Sequence, residues 1–396
     1  MAKQLLDAAD ERTRAGMPNR ESIVRRIKAY EAGRHQPDDP YRVLYCRVFG
    51  VNEADLFSET SPPTYELSPL ASEAIDLVAW VEQTNVGDNT ITMLADASHL
   101  LAESHAQVPP RRMLADVLRL HRQTQTLLHG GKQRLYQTRD LFRINADLLA
   151  HACILLGDLH NDEAAIAHGM AATLCAEEAG ANQAAVFSAQ AKTERWRHRY
   201  AVSADLALRG FECSPPTPLR ILLASQEANA AGFLGDFDRA QQALRRAEET
   251  AAGPMSEDSG VSPWSCPRPR QALYALSVAL QAGNPGAALQ AAAMADAAWA
   301  SGDPYVYGTW AQIRFGAGNA YVMMGDLHGA ADQITPVMTM PPELRMATIT
   351  NYLVEMDALL KDQRFNGSDI ASDLRDQIQE FNSAALQADG VIEGDG

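Results

Sequence analysis

No stretch of the chain offers the run of about eighteen apolar residues that a membrane-spanning helix needs, so no membrane association is expected. Where a secretory signal has its apolar centre, this sequence holds Asp7, Asp10, Glu11, Arg12 and Arg14. The five cysteines (Cys46, Cys153, Cys175, Cys213 and Cys266) lie far apart with no C-x-x-C pair. That pattern argues against a disulfide scaffold or a zinc cluster and for reduced thiols in the cytoplasm. Alternating β-branched runs bounded by turn residues are missing, which speaks against sheets. There is no H-E-x-x-H, no G-x-S-x-G and no evident nucleophile–base arrangement. Gly130-Gly131-Lys132 lacks the upstream glycine and the following Ser or Thr of a phosphate loop. No enzymatic activity, metal or cofactor is therefore expected.

What is present is helix-forming. The chain has 396 residues, more than one hydrophobic core usually serves, and 46% of them are hydrophobic, with alanine prominent. Apolar residues recur at three- and four-residue spacing throughout, so the expected fold class is all-α. Residues 2–15 read as one helix with Leu5, Leu6 and Ala9 on its apolar side, interrupted by Gly16, Pro18 and Asn19. Asn19 can cap a second helix running from Glu21 to Ala32, with Ile23, Ile27 and Tyr30 at i, i+4 and i+7 and Gly33 as its stop. A helix over 40–49 would bury Leu44 and Val48, and Asn52 would cap a short turn ending in Leu56 and Phe57. Residues 58–69, with three prolines and three serines, read as a linker. The organisation is thus a small head over 1–57, the linker, a helical body over 70–385 and a flexible acidic tail over 386–396.

The net charge of −16 is unevenly spread. Residues 1–60 carry 10 basic and 10 acidic side chains, which leaves 24 against 40 for the remainder. Between Arg12 and Arg47 there are nine basic and four acidic residues. A basic head on an acidic body fits a nucleic-acid-contacting domain with a separate sensor, and equally an ordinary solvated helix face.

The body carries a repeat. Gly157-Asp158-Leu159, Gly235-Asp236-Phe237 and Gly325-Asp326-Leu327 each follow an alanine-rich helix, and Gly283 adds a fourth turn. Ala240, Ala288 and Ala330 lie five residues after their glycines, while the first copy has Ala164 seven residues on, which suggests a longer turn. Gly169, Ala247 and Ala295 lie twelve after theirs. The glycines are 78, 48 and 42 residues apart, and 184–215 holds an especially worn copy. The pattern resembles the tetratricopeptide repeat, in which small residues let paired helices pack closely, and it implies a right-handed α-solenoid with a concave face. The rival is a non-repetitive helical bundle.

In the head, R-R-I-K-A-Y-E-A-G-R-H-Q-P over 25–37 resembles the end of the recognition helix of XRE-type (Cro/repressor-like) helix-turn-helix domains, through Tyr30, Glu31, Gly33 and Pro37. The following Y-R-V-L-Y-C-R-V-F-G-V-N-E-A-D-L-F resembles the closing helix of that family. The layout is similar to actinobacterial regulators that join such a head to a repeat-bearing body. The resemblance implies a DNA-binding transcriptional regulator that works as a homodimer on double-stranded DNA. Arg25, Arg26 and Lys28 would reach base edges or phosphates, and Arg20 and Arg34 phosphates, with Arg42 and Arg47 as weaker phosphate candidates. For each of these the alternative is a solvated surface charge. Glu31 reads as a structural hydrogen-bond acceptor. The family places two helices before the recognition helix, whereas this sequence offers room for one, so the head is expected to be partial, with a native start upstream or a degenerate domain.

His151, Asn229 and Asn319 each lie six residues before a turn glycine. By resemblance to peptide-binding tetratricopeptide proteins they would line a groove for a peptide or protein partner; the alternative is local capping or solvent exposure. The histidine pairs His121/His129 and His160/His168 read as surface residues, and the methionines from Met323 to Met356 as core filling. Arg195, Arg197, His198 and Arg199 around Trp196 and Tyr200 read as a solvated face. The function expected is a regulator whose array senses a peptide, small molecule or protein; the rival is a protein–protein scaffold with a vestigial head.

Overall fold

A computed structural model of the chain describes residues 1–57, 69–254, 256 and 260–387. The regular structure among the described residues is entirely helical. The chain divides into two compact units, Met1–Val78 and Ala79–Gly396. Residues 58–68 of the expected linker and 388–396 of the expected tail lie outside the described residues. No described helix is long and apolar enough to cross a membrane.

The N-terminal unit contains α1 (Ala2–Ala8), α2 (Glu11–Gly16), α3 (Arg20–Glu31), α4 (Tyr41–Phe49), α5 (Glu53–Phe57) and the first part of α6 (Pro69–Glu82). The stretch expected as one helix over 2–15 is two. Ala9 turns extended, and Asp10 accepts a hydrogen bond from Thr13 N at 2.8 Å, which starts a new helix. Two helices therefore precede α3. The three residues Met17-Pro18-Asn19 separate α2 from α3, a spacing typical of a helix-turn-helix. The core is small: Leu5, Ala9, Ile23, Ile27, Tyr41, Leu44 and Tyr45 are buried, with Leu6, Tyr30, Val48 and Phe57 packed against them. α2 buries no side chain, and its Arg14 ties it to the end of α1 by donating to Leu6 O at 3.0 Å. α3 stops as its sequence suggests, with Gly33 left-handed (φ 65°) and Arg34 N donating to Ala29 O at 3.0 Å.

In the C-terminal unit, α7 (Asp88–Glu103) and α8 (Pro110–His129) lead into five helix pairs among the described residues. These are α9 (Leu135–Asp158) with α10 (Asp162–Ala179), α11 (Ala184–Trp196) with α12 (Tyr200–Cys213), and α13 (Pro218–Leu234) with α14 (Phe237–Ala252). Then come α15 (Arg268–Gln281) with α16 (Pro285–Ala300), α17 (Tyr307–Met324) with α18 (Leu327–Met338), and finally α19 (Ala347–Leu360) and α20 (Asp369–Gln387). From α7 to α18 each helix packs on its neighbours in sequence, as in an α-solenoid; α19 packs on α17 and α20 and comes round to touch α9.

The repeat register differs from the one read off the glycines. α9 continues through Gly157 and Asp158, and the left-handed residue that ends it is His160 (φ 61°). A second left-handed histidine, His198 (φ 58°), ends the worn copy at α11. The turn residues are therefore His160, His198, Gly235, Gly283 and Gly325, spaced 38, 37, 48 and 42 apart. After each, the next N–H reaches back five residues: Asn161 to Leu156 O, Arg199 to Glu194 O, Asp236 to Ala231 O, Asn284 to Ala279 O and Asp326 to Tyr321 O, all at 2.9–3.0 Å. In four copies that next residue, Asn161, Asp236, Asn284 or Asp326, also caps the second helix through its side chain. Five residues beyond each turn sits a buried small side chain, Ala165, Ser203, Ala240, Ala288 or Ala330, of the kind that lets paired helices approach closely. Twelve beyond, Ala172, Gly210, Ala247, Ala295 and Val337 are also buried. At Gly210 a Cβ would stand 2.6 Å from Leu223 Cδ2 and 3.0 Å from Phe187 Cβ.

A left-handed backbone costs a side-chain-bearing residue about 1–2 kcal/mol, part of which a glycine returns through unfolded-state entropy. His160→Gly is accordingly expected to stabilise the array by about 0.5–1 kcal/mol. A thermal melt at neutral pH checks it; a lower melting temperature would contradict the register.

Candidate functional site

The outward side of α3 is the first candidate. Ile23 and Ile27 point inward at 0% and 5% exposure, and Tyr30 completes that face. At 3.6 residues per turn, Arg25 stands opposite them, with Lys28 one turn further on and Glu21 one turn before. Arg20 and Arg34 are exposed at the two ends of the helix. Among the described residues, Arg20, Arg25, Lys28 and Arg34 have no ion-pair partner, so their donors point to solvent.

The other proposed contacts are occupied within the unit. The Arg26 guanidinium lies 5.6 Å from the centroid of the Tyr41 ring, a cation–π contact that ties it to α4. Arg42 pairs with Glu53 at 2.9 Å and covers the Phe57 ring, and Arg47 reaches Asp10 at 3.6 Å and Ala8 O at 3.4 Å. Glu31 is exposed and accepts no hydrogen bond from the described residues, so the structural role expected for it is not seen; Asp38 has that role instead. The Tyr30 hydroxyl donates to Asp38 Oδ1 at 2.8 Å, and this bond holds the carboxyl below its ordinary range.

The second candidate lies along the inner side of the array. The position six residues before each left-handed turn is occupied by Ile154, Lys192, Asn229, Ser277 and Asn319. The first four of these line one cavity, about 110 Å³ in itself within about 960 Å³ that includes the open solvent at its mouth. Its walls come from the first helix of successive pairs and from α19: Asp158 of α9, Arg195 of α11, Tyr274 of α15, Gln312 of α17 and Tyr352 of α19. The segment Gly260–Pro263 closes one side.

Three cations face this space. Lys192 donates to Asp158 at 2.8 Å, with the aspartate side chain 2% exposed; burial lowers the lysine pKa against the pull of that carboxylate. Arg270 donates through Nη1 to Pro263 O at 3.0 Å and Ser265 O at 2.7 Å, both neutral acceptors, and has no ion-pair partner among the described residues. Arg195 lies 3.8 Å over its neighbour Trp196 and has no ion-pair partner among the described residues. Asn229 Nδ2 donates to Ser277 Oγ at 2.7 Å, while its Oδ1 is buried without a partner.

Of the three residues expected in a groove, Asn229 lines the cavity. His151 does not share its repeat position, because the turn after α9 is His160 and not Gly157. It is 2% exposed and its Nε2 lies 3.0 Å from Nδ1 of His105, a cavity-lining residue. Asn319 holds the repeat position and is as buried as Asn229, but it does not line the cavity. The basic cluster at the end of α11 is not one solvated face. Arg197 and Arg199 pair with Glu194, His198 Nδ1 meets the Tyr200 hydroxyl at 2.7 Å, and Arg195 turns toward the cavity. His121 meets Asn145 Oδ1 at 2.8 Å and His168 the Ala164 carbonyl. Among the described residues no cluster of His, Cys, Asp or Glu is arranged to hold a metal ion. Sequence reasoning missed Lys192, Arg270, Asp158 and Tyr352; for Lys192 the missing signal was the left-handed histidine six residues on. No family model and no curated protein matches the chain.

Proposed function

We propose that the chain is a cytoplasmic DNA-binding transcriptional regulator, with an N-terminal unit of the XRE type and a helical array that receives the controlling signal. The observation that carries this reading is the outward side of α3, where Arg25 and Lys28 stand unpaired opposite the buried Ile23 and Ile27. A helix that enters the major groove needs this division, an apolar side seated on its own domain and long donors on the other. Arg20 and Arg34 at the helix ends suit phosphates. Arg26, stacked on Tyr41, is assigned to holding α3 against α4. One head of this size touches few base pairs, so the reading includes a homodimer on paired half-sites.

A second reading, a protein–protein scaffold with a vestigial head, draws support from Glu21 on the same side of α3 and from the equal numbers of acidic and basic residues over 1–60. Selection of genomic fragments by the full chain decides between them. The regulator reading expects enrichment of a shared inverted repeat that Arg25→Ala/Lys28→Ala abolishes and Arg42→Ala largely spares. Equal recovery of all fragments by both proteins would leave the scaffold.

A further inference from the structure

We infer that the cavity on the inner side of the array is a receptor site for a small organic oxyanion, a carboxylate or phosphate head on an organic body. The inference rests on the reading that the array is the sensing part of the protein. It starts from charge. Among the described residues, three cationic side chains, Lys192, Arg195 and Arg270, line the space against one carboxylate, Asp158, which Lys192 already engages. Glu355, beyond Arg195 in an adjoining depression, offsets part of the excess but lies outside the cavity lining. Two guanidinium groups beside one space, one stacked on Trp196 and one on backbone carbonyls, would gain from an anion that joins them, and their planar forks suit oxyanions.

The rest of the lining specifies an organic body. Tyr274, Tyr352, Leu273 and Ile154 provide apolar and aromatic wall, and the buried, unpartnered Oδ1 of Asn229 offers an acceptor. A concave site with a few convergent polar groups is typical for small molecules. The same repeat position supplies Ile154, Lys192, Asn229 and Ser277, so the array presents one side chain from each of four successive pairs to the ligand.

Isothermal titration of the full chain with octanoate, octyl phosphate and the neutral isostere octanamide tests the proposal. At least one anion is expected to bind tenfold or more tightly than the amide, the difference a charge-assisted contact makes, and the better head identifies the source chemistry. Arg195→Gln is expected to remove that preference, while Arg199→Gln, which alters a residue paired with Glu194, leaves it intact. Should Arg195→Gln fail to fold, the comparison of anions with amide on the natural chain decides. Equal binding of the three probes, no binding of either anion up to about 10 mM, or the same loss in both arginine variants would overturn the proposal. The titration contains no DNA, so anion binding without fragment enrichment would sink the regulator and keep the site, and the converse would sink the site alone.

Discussion

Replacing Glu227 by alanine is expected to lower the stability of the array by about 3–5 kcal/mol, the cost of stranding charges in a buried pair. Glu227 sits on α13 at 1% exposure, with both carboxylate oxygens engaged. Oε1 accepts from Arg239 Nε at 2.9 Å, and Oε2 pairs with Arg246, both on α14. Arg239 also reaches Asp205 of α12 at 3.0 Å, so one carboxylate holds three helices of two successive pairs together. Removing it leaves Arg246 without a counter-charge and Arg239 with only the exposed Asp205, both guanidinium groups being roughly one-quarter exposed. Asp205→Ala is the control. Its side chain is 68% exposed, and loss of a surface pair costs no more than about 1 kcal/mol. Urea unfolding of the two variants checks the difference. Equal losses would mean that the buried carboxylate contributes nothing beyond a surface ion pair.

The second large effect is acid sensitivity from His105 and His151. Their ring nitrogens, 3.0 Å apart, share a single proton, so the pair is stable with both rings neutral. Burial holds His151 down at about 4 and lowers His105 well below the ordinary value; Lys192 adds like charge to both, and His151 and Arg270 add it to His105. An unfolded histidine titrates near 6.5, so the unfolded chain takes up protons that the folded chain refuses. Stability is therefore full above that value and falls as the pH drops, until the folded ring itself protonates. His151 alone accounts for about 2 kcal/mol lost at pH 5, at 1.36 kcal/mol per pH unit. The dependence of unfolding free energy on pH between 6.5 and 5 is expected to be shallower by about one proton in His151→Asn. Parallel curves would show that the ring is free to protonate in the folded protein.

Much of the architecture could be read from spacing. The three- and four-residue apolar period yields the helices, and small residues five beyond each turn, and twelve beyond four of the five, mark buried positions of the paired helices. The register of two copies could not be read from glycines, because His160 and His198 take the left-handed conformation without being glycine. That hid the copy at α11, displaced His151 into a position that belongs to Ile154, and left Lys192 unnoticed. In the head, the break between α1 and α2 was obscured because Leu5, Leu6 and Ala9 fit a continuous helix, while the Asp10 side chain favours a new start. The cation–π contact of Arg26 and the ion pairs of Arg42 and Arg47 depend on which helices meet, which no local pattern encodes. The same holds for the cavity, whose lining runs from His105 to Tyr352 in the sequence.

The most direct test of the regulatory reading is the affinity of the full chain for one selected DNA fragment, measured by fluorescence anisotropy across a salt series. Each phosphate neutralised by a basic side chain contributes about −0.9 to the slope of log K against log salt, and each specific base contact about 1–3 kcal/mol. Arg25→Ala/Lys28→Ala is expected to weaken binding at least tenfold, with a loss of sequence preference if the residues read bases or a slope shallower by about two if they neutralise phosphates. Unchanged affinity, preference and slope in the double variant would contradict the assignment of α3 as the recognition helix.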